Sequence, residues 1–403
     1  MNILLLRHYN PFVENGASAN RFRGLVEGLC RDGHSVTIGV MGGELRKDEA
    51  ATFIHNVEGL RVQYLSFSNH YHPLWGRLNT YFFDDMIHLP VAAGRVIKQL
   101  KRQHYDIVWL TNQASVLRLF IKVQKHIKGR TFIELNEFND IYREEKDGNF
   151  LQRRKGVRDN RVFLDTISKI DLFAVMTQTL LNYYQGLAKK NAVFMHLPMT
   201  VDLSRFHEVT TNVEYKKPYI AFTGTMTNHK DGVDVLIKAF AKIADKHPTY
   251  HLYMAGFWHY DVPMQEQLIS ELGLQERIHY IGTLNRDQIP PFVCNASVLA
   301  LSRPDSHQAQ GGFPTKLGEY LATGKPVCVT KVGEIPNYLE DNISAFMATP
   351  GDVDSFADAI DRALSDETNA KRIGINGRMV AKENFDIVVQ AKRLSLFLQK
   401  NVR

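Results

Sequence analysis

Short apolar runs alternate with amphipathic segments along most of this 403-residue chain. Runs such as residues 3–7 and 35–40 are bounded by turn residues, which predicts buried strands. The segments between them carry apolar residues at three- and four-residue intervals, which predicts helices packed on a sheet. Strands and helices in strict alternation are typical of a parallel sheet covered on both faces. The pattern therefore predicts an α/β protein with doubly wound sheets.

The alternation breaks at residues 197–206, and a polar stretch at 208–217 follows. A new strand–helix series then begins at residue 219. We therefore predict two Rossmann-like domains, at residues 1–200 and 201–383. The last helix, at about residues 384–403, has apolar residues on one face and is expected to pack back on the first domain.

The predicted strands of the first domain lie at residues 3–7, 35–40, 106–110, 131–135, 172–175 and 192–195. Those of the second domain lie at residues 219–222, 251–254, 278–281, 298–301, 327–330 and 345–348. Residues 60–90 do not follow the alternation and are rich in aromatic side chains. They are interpreted as a loop that covers the core or, alternatively, as a surface that contacts an acceptor or a membrane.

Composition indicates an ordinary globular protein, with 44% hydrophobic and 23% charged residues. No apolar run approaches the length of a membrane span, and no segment has the organisation of a signal peptide, so a cytoplasmic location is expected. The cysteines are widely spaced and predict buried thiols rather than a metal or redox site. They are Cys30, Cys294 and Cys328.

The positive charge is concentrated in the first half of the chain. Residues 1–200 contain 27 Lys and Arg against 19 Asp and Glu, a balance of +8, whereas the remainder has a balance of −2. Basic residues cluster at 95–130 and at 153–161. A charge run is most often only a solvated face, but two clusters beside an aromatic segment favour contact with an anionic membrane surface. Nucleic acid is disfavoured because no recognition module accompanies the charge.

The stretch 311–327 combines a glycine-rich turn, a short helix, a glycine stop and a buried strand. It reads Gly-Gly-Phe-Pro-Thr-Lys-Leu-Gly-Glu-Tyr-Leu-Ala-Thr-Gly-Lys-Pro-Val. Gly311 and Gly312 allow the backbone to approach a ligand closely, and Pro314 has the backbone geometry of a first helical turn. The free N–H groups at such a helix start attract phosphate or sugar oxygens. Glu319 follows one to two turns later, so its carboxylate can face the same cavity.

A polar segment follows the predicted strand at 131–135 directly, at the sheet edge where open α/β proteins bind ligands. Glu137 in this segment is a candidate cleft residue, and Asn139 or Asp140 is a candidate cap of the next helix. The loop after the first strand contains Gly16 but no G-x-G-x-x-G, which disfavours a dinucleotide cofactor.

These features together resemble the retaining glycosyltransferases of family 4, which have the GT-B fold of two Rossmann-like domains facing a central cleft. The resemblance extends over nearly the whole chain and is densest between residues 197 and 350. Its markers are the Gly-His-Ser-Val at 33–36, the hinge at 197–206, the loop at 224–230, Gly256, Gly282 and the stretch 313–327. The set is specific for the family and says little about which sugar is moved.

The resemblance implies a site for a nucleotide-sugar donor. Lys230 matches the cation that contacts the diphosphate, and Glu319 matches the carboxylate that accepts hydrogen bonds from the ribose hydroxyls. The amides of Thr315 and Lys316 would bind phosphate oxygens, since Pro314 has no N–H group. The remaining donor-binding candidates are Gly16, Gly224, Thr225, Gly311, Gly312 and Phe313.

Three positions depart from the family pattern. Gly311 occupies the place of a glutamate, Thr225 that of a frequent arginine, and Asn136 that of a common histidine. We interpret these as variation within a subgroup. The resemblance also implies transfer on one face of the sugar, with the leaving phosphate taking the acceptor proton and no metal ion required. Catalysis would then depend on positioning and electrostatics, with Glu137 as a candidate polar group near the reacting centre.

The expected function is transfer of a hexose from a UDP- or GDP-linked donor to a glycan or lipid-linked glycan, in cell-surface polysaccharide biosynthesis. The basic first domain favours a peripheral location at the inner face of the cell membrane. The departures at Gly311 and Thr225 leave open a non-catalytic protein that binds a nucleotide or a partner. A sugar-nucleotide epimerase on the same architecture is a weaker alternative. No cofactor is expected.

Overall fold

The computed structural model describes residues 1–13, 16–41, 57–65, 88–139, 150–207, 209, 215–216 and 218–402. Most of the aromatic segment expected to form a loop or a contact surface, at 66–87, and the candidate cap Asp140 lie outside the described residues. The chain divides into two compact units. The first comprises Met1–Leu197 and Gln390–Arg403, and the second comprises Pro198–Val389.

The first unit contains a seven-stranded parallel sheet in the order β3-β2-β1-β4-β5-β6-β7. Its strands are β1 (Asn2–Arg7), β2 (Ser35–Val40), β3 (Leu60–Tyr64), β4 (Ile107–Leu110), β5 (Arg130–Leu135), β6 (Leu172–Val175) and β7 (Val193–His196). The strand order reverses between β1 and β4, which creates a topological switch point. Every side chain of β4 and β6 is buried, because helices cover both faces of a parallel sheet.

Five α-helices connect the strands in the described part of the first unit. They are α1 (Ala17–Arg31), α2 (Leu89–Arg102), α3 (Ala114–Val123), α4 (Phe150–Ile167) and α5 (Gln178–Gln185). The basic residues of α2 alternate with a buried apolar stripe that includes Val96 and Leu100. Lys98, Lys101 and Arg102 are exposed on the opposite side of α2. The amphipathic pattern therefore places the basic charge of this helix in solvent.

The second unit contains a six-stranded parallel sheet in the order β10-β9-β8-β11-β12-β13. Its strands are β8 (Tyr219–Thr225), β9 (His251–Phe257), β10 (Ile278–Tyr280), β11 (Val298–Leu301), β12 (Val327–Thr330) and β13 (Phe346–Ala348). The order reverses between β8 and β11, so this sheet has its own switch point.

The helices of the second unit pack on both faces of its sheet. They are α6 (Asn228–Asp231), α7 (Val233–Ile243), α8 (Val262–Glu271), α9 (Ile289–Cys294), α10 (His307–Gly311), α11 (Thr315–Ala322), α12 (Ile335–Tyr338), α13 (Val353–Ser365) and α14 (Glu367–Asn384). Among the described helices of the chain, none is long and apolar enough to cross a bilayer.

The last helix, α15 (Ile387–Val402), supplies residues from Gln390 onward to the first unit. Its close approach to α1 depends on a glycine, since a Cβ added to Gly28 would lie 2.3 Å from the Cβ of Ala391. The Nε2 atom of His34 lies 2.8 Å from the hydroxyl oxygen of Ser395 on α15. These contacts join the carboxyl-terminal helix to the Gly-His segment that follows α1.

The predicted α/β class with two doubly wound sheets is confirmed. Two elements of the first unit differ from the prediction. Residues 60–64, assigned to an irregular segment, form the edge strand β3, and residues 150–167, noted only for their basic charge, form α4. Cys30 and Cys328 are buried as predicted, and burial raises the pKa of Cys30 to about 11, whereas Cys294 is only half-buried.

Candidate functional site

The switch point of the second unit brings several of the predicted residues to one edge of the sheet. Gly224 and Thr225 end β8, and β8 lies between β9 and β11. The helix α11 begins at Thr315 and leads to β12, so its amino terminus lies at the carboxyl edge of the parallel sheet. Ligands of open α/β sheets bind at this edge, beside the switch point.

An ion pair between Asp231 and Lys316 lies at this edge. The Lys316 Nζ donates to Oδ1 of Asp231 at 2.7 Å, and the side chains are 17% and 6% exposed, respectively. The second carboxylate oxygen, Oδ2, accepts the backbone N–H of Thr225 at 3.2 Å. Asp231 therefore links the end of β8 to the first turn of α11.

Glycine at position 224 makes room for this pair. A Cβ added to Gly224 would lie 2.1 Å from the Lys316 Nζ and 2.9 Å from the ring of Phe222. The same ammonium lies 4.9 Å from the centre of the Phe222 ring, within cation–π range. A side chain at position 224 would displace the ammonium from Asp231.

The turn after Asp231 is also specific for glycine. Gly232 has a φ of 69°, and a Cβ there would lie 2.1 Å from the carbonyl oxygen of Ser302. The hydroxyl of Ser302 donates to the Gly232 carbonyl at 2.8 Å. Because Ser302 directly follows β11, this contact fixes the α6–α7 turn at the switch point.

The charge around Lys316 is predominantly positive. Burial lowers the pKa of the Lys316 ammonium, Asp231 opposes this shift, and the neighbouring cations Arg303 and Lys230 lower it further. Lys230 is exposed on α6. Asp231 holds the Lys316 ammonium, whereas the Lys230 side chain is exposed beside it, so an incoming anion would meet positive charge at this edge.

The start of α11 supplies backbone donors, with one difference from the prediction. Pro314 is predicted inside the first turn but is the residue preceding the helix, with φ −72° and ψ 111°. The helix begins at Thr315, so the amides of Thr315 and Lys316 are among those without a partner inside the helix. They keep the position expected for anion binding.

The glycine-rich turn is more structured than the sequence indicates. Gly311 is the buried last residue of the short helix α10, and Gly312 follows it with extended backbone. The ring of Phe313 is 5% exposed and packs edge-on against Tyr338, with ring centres 5.7 Å apart. Phe313 thus anchors the turn by its side chain, while its backbone remains the candidate ligand contact.

Glu319 pairs with an arginine that the sequence did not indicate. The Arg205 guanidinium donates to Oε1 of Glu319 at 3.3 Å and to the carbonyl of Arg286 at 2.7 Å. Burial raises the pKa of the Glu319 carboxyl, and the cations Arg205, Arg286 and Lys316 counter this shift. Arg205 lies in the segment predicted as a hinge, where its role was not apparent from spacing.

Tyr320 fixes α11 against β8. Its hydroxyl is fully buried and accepts the backbone N–H of Thr223 at 2.6 Å. Because Tyr320 is adjacent to Glu319, this contact orients the turn of α11 that carries the carboxylate. Sequence periodicity places Tyr320 on the buried face but cannot identify its partner.

Two predicted residues belong to the first unit. Gly16 precedes α1 with a φ of 133°, a conformation that favours glycine, and no atom lies within 4 Å of an added Cβ. Glu137 follows β5; its side chain is exposed, and its carbonyl accepts the hydroxyl of Tyr184 at 3.1 Å. Both residues follow strands at the carboxyl edge of the first sheet.

The described residues contain one group of His, Cys, Asp or Glu side chains with the spacing of a metal site. His229, His259 and Asp261 each offer a ligand atom, and these atoms lie within 4.8 Å of one another. The three residues come from two separate loops, so no local motif indicates them.

The structure thus brings Gly224, Thr225 and Lys316 into direct contact around Asp231. Lys230 adjoins Asp231 in sequence, and Glu319 lies one turn along α11. Asp231 and Arg205 are the site residues that sequence reasoning missed. The lysine–aspartate–glycine sequence of the loop was the available signal for Asp231, but it does not reveal the partner.

Comparison with known proteins supports an enzymatic role. Residues 205–380 match the family model described as glycosyl transferases group 1. The chain is 23% identical over 374 residues to the uncharacterized glycosyltransferase MJ1607 of Methanocaldococcus jannaschii, covering 89% of this chain and 87% of that protein. It is 25% identical over 220 residues to the GDP-mannose-dependent alpha-(1-6)-phosphatidylinositol monomannoside mannosyltransferase of Mycolicibacterium smegmatis, covering 52% of this chain and 56% of that protein.

A solved structure shares the fold. HepE of Anabaena, in complex with UDP and glucose, superposes with a TM-score of 0.70 at 16% identity, covering 99% of this chain and 100% of that one. The chain is a GT-B glycosyltransferase. The family match in this glycosyltransferase includes the Asp231–Lys316 pair, Lys230 and Glu319, whereas Gly16 and Glu137 lie outside it.

Proposed function

We propose that this glycosyltransferase transfers a hexose from a UDP- or GDP-linked donor to a glycan or lipid-linked glycan, with retention of the anomeric configuration, as the resemblance to family 4 implies. The observation that carries the proposal is the group of cations around Asp231, with Glu319 one turn further along the helix that begins there. Such a site suits two parts of a nucleotide-sugar donor, the diphosphate and the ribose.

The diphosphate would lie against the Lys230 ammonium and the amides of Thr315 and Lys316. Lys230 is exposed and therefore accessible to a ligand, whereas the Lys316 ammonium is already held by Asp231. We assign the Lys316 side chain to shaping the site and its backbone N–H to binding phosphate. A flexible lysine suits this role because it follows phosphate oxygens as charge develops on them.

Glu319 would accept hydrogen bonds from the ribose hydroxyls. Only the ionised carboxylate has both oxygens available as acceptors. Arg205 donates to one oxygen at 3.3 Å and opposes the rise in pKa caused by burial. Arg205 would therefore keep Glu319 ionised and oriented, which makes it a positioning residue for the ribose.

The transfer itself requires little from a protein base. The bond between the anomeric carbon and the β-phosphate oxygen breaks, a bond from that carbon to the acceptor oxygen forms on the same face, and the acceptor proton passes to the departing phosphate. Negative charge develops on the diphosphate as the bond breaks. Lys230 and the α11 amides stabilise that charge, so the site contributes mainly electrostatic stabilisation and positioning. Glu137 remains the candidate polar group on the acceptor side.

Two of the compared proteins inform the choice of donor and acceptor. HepE is described with UDP and glucose, and the mycobacterial relative is described as a GDP-mannose-dependent phosphatidylinositol monomannoside mannosyltransferase. UDP and GDP donors are thus the first to test, and a lipid-linked acceptor in cell-surface polysaccharide biosynthesis is the proposed setting.

The first unit supplies the basis for a peripheral membrane location. Lysine and arginine side chains are exposed along α2, at and after the end of α3, and on α4. They include Lys98, Lys101, Arg102, Lys122, Lys125, Lys128, Arg153, Arg154 and Arg158. Each basic residue near an anionic leaflet contributes about 1 kcal/mol of attraction. The proposed location is the inner face of the cell membrane.

A calorimetric titration with UDP, GDP and ADP tests donor binding directly. We expect UDP or GDP to bind and to raise the melting temperature, and ADP to bind more weakly. Lys230→Ala should weaken binding of the preferred nucleotide by about 10- to 100-fold, which is the contribution of a hydrogen bond to a charged group. Lys238→Ala is the matched control, since Lys238 is exposed on the adjacent helix and pairs with Asp234 in its own helix. No response to UDP or GDP contradicts the proposal.

Two further measurements test the stereochemistry and the location. NMR of the product, with the preferred α-linked donor and an accepted glycan, should show an α-glycoside; a β-glycoside excludes retention. Flotation should recover the protein with vesicles containing phosphatidylglycerol and not with phosphatidylcholine alone, and added salt should release it. Equal flotation with both vesicle types, or with neither, excludes the electrostatic membrane contact.

A further inference from the structure

His229, His259 and Asp261 converge at the carboxyl ends of β8 and β9. His229 lies on α6, which follows β8, and the other two residues lie in the loop between β9 and α8. The two strands are neighbours and parallel, so the loops that follow them meet at one edge of the sheet. One ligand atom from each residue lies within 4.8 Å of the others.

The pair formed by His259 and Asp261 already has the spacing of two metal ligands. Nδ1 of His259 lies 3.2 Å from Oδ2 of Asp261. Two ligand atoms on a tetrahedral zinc ion lie about 3.4 Å apart, given zinc–ligand bonds of about 2.0–2.1 Å. His229 is exposed, and its ring centre lies 5.7 Å from that of His259, so a rotation of its side chain completes the site.

The polarity of the atoms also calls for a cation between them. The backbone N–H of Asp261 lies 3.3 Å from His259 Nδ1 and can only donate to it, which requires that this nitrogen carry a lone pair. That lone pair then faces a carboxylate oxygen at 3.2 Å. A metal ion bound to both atoms removes the repulsion, and so does a proton on Nδ1. Either one takes the lone pair of Nδ1, so the backbone N–H of Asp261 then loses this acceptor.

Asp261 also holds the start of α6, the helix that carries His229. Oδ2 of Asp261 accepts the backbone N–H of Asn228 at 2.8 Å, and Gln265 donates to the Asn228 side chain at 2.7 Å. Asp261 is buried. The site is therefore prearranged on its buried side and open to solvent on the His229 side, so that an ion can enter.

We propose that His229, His259 and Asp261 bind one divalent transition-metal ion of the Zn²⁺ class, with water completing the coordination, and that this ion fixes the helix that carries Lys230. Imidazole nitrogens favour zinc, nickel, copper and cobalt over magnesium and calcium. The ion takes no part in the transfer proposed above, and its binding does not depend on a nucleotide donor. The expectation of transfer without a metal ion came from the family resemblance, and local spacing does not indicate this site, because His229 and His259 are 30 positions apart.

The test is a titration of the untagged, metal-free full chain with Co²⁺ alone. We expect one Co²⁺ per chain, with the visible absorption of a low-coordinate cobalt site, and displacement by Zn²⁺. His229→Ala removes an exposed ligand and leaves the fold intact. Loss of a ligand should weaken Co²⁺ binding by at least about 100-fold. Loss of a residue that only hydrogen-bonds to a metal ligand already lowers the metal affinity by about 10- to 100-fold. His259→Ala should behave in the same way.

His247→Ala is the matched control. His247 pairs with Asp361 at 2.7 Å, as His259 does with Asp261, but a lysine rather than a second histidine completes that group. This variant should keep the cobalt spectrum and affinity of the wild type. Zn²⁺ should raise the melting temperature of the wild type and of His247→Ala but not of His229→Ala. Absence of a cobalt spectrum in the wild type, or its persistence in both His229→Ala and His259→Ala, overturns the proposal.

Discussion

Asp231 and Lys316, which are 85 positions apart, form an ion pair of 2.7 Å with side-chain exposures of 6% and 17%. The pair joins the loop after β8 to the helix that carries Glu319. We therefore propose that the pair holds the short loop and the helix start together as one anion site. Removing the carboxylate therefore tests the architecture of the site as well as its stability.

Asp231→Asn should lower the free energy of unfolding by about 3 kcal/mol, because it leaves the Lys316 ammonium uncompensated in a nearly buried position. Asp354→Asn is the control, since Lys242 and Asp354 form a pair of the same 2.7 Å length with both side chains exposed. That change should cost less than about 1 kcal/mol. Urea unfolding at neutral pH measures both values, and equal losses would contradict the role assigned to burial.

Gly16→Ala should destabilise the protein by about 1–3 kcal/mol through backbone strain alone. Gly16 has a φ of 133°, and no atom of the described residues lies within 4 Å of an added Cβ, so strain rather than a clash with them is expected. Gly94→Ala provides the comparison: Gly94 is also open to an added Cβ but lies inside α2 with ordinary helical backbone. It should be stabilising by up to about 1 kcal/mol. Thermal unfolding measures the change in stability of both variants. An unchanged stability in Gly16→Ala would contradict the proposed backbone strain.

Arg205→Met should move the acid limb of nucleotide binding to higher pH. Burial raises the pKa of Glu319, and Arg205 opposes this shift, so removal of Arg205 raises that pKa further. The ionised carboxylate is the form that accepts ribose hydroxyls, so binding is lost as pH falls through the Glu319 pKa. The affinity for the preferred nucleotide, measured against pH, should therefore decline earlier on acidification in the variant. Lys242→Met should leave the profile unchanged, and an identical profile in Arg205→Met would rule out the positioning role.

Asp171 should contribute to the loss of stability in acid. Burial raises its pKa, but Lys189 at 2.6 Å and the two hydrogen bonds from Thr131 outweigh burial and hold the pKa below its usual value. A depressed pKa stabilises the fold above the unfolded value of about 3.9, and this contribution is lost as pH falls through the folded pKa. Asp171→Asn should therefore be less stable than the wild type at neutral pH, with the difference shrinking below about pH 4. A constant difference between the two would contradict this account.

Most of the fold follows from local sequence patterns. The strands at 35–40, 172–175, 298–301 and 327–330 have the predicted bounds, because a buried parallel strand is a short apolar run between turns. The strand β3 was missed because its burial alternates along the chain, as at a sheet edge, and because an aromatic segment follows it. The helix α4 was missed because its many basic residues obscure the apolar stripe.

The sequence by itself determined the two doubly wound sheets and placed the start of α11 to within one residue, because these depend on residues close together in the chain. It also placed Lys230 and Glu319 among the candidates through a family resemblance. Only the tertiary structure decided the ion-pair partners of Glu319 and Lys316. Lys316 meets Asp231 across 85 positions, because parallel strands bring the segments at their carboxyl ends to one edge of the sheet. Glu319 meets Arg205, which precedes β8, across 114 positions. The spacing of these residues along the chain does not predict such contacts.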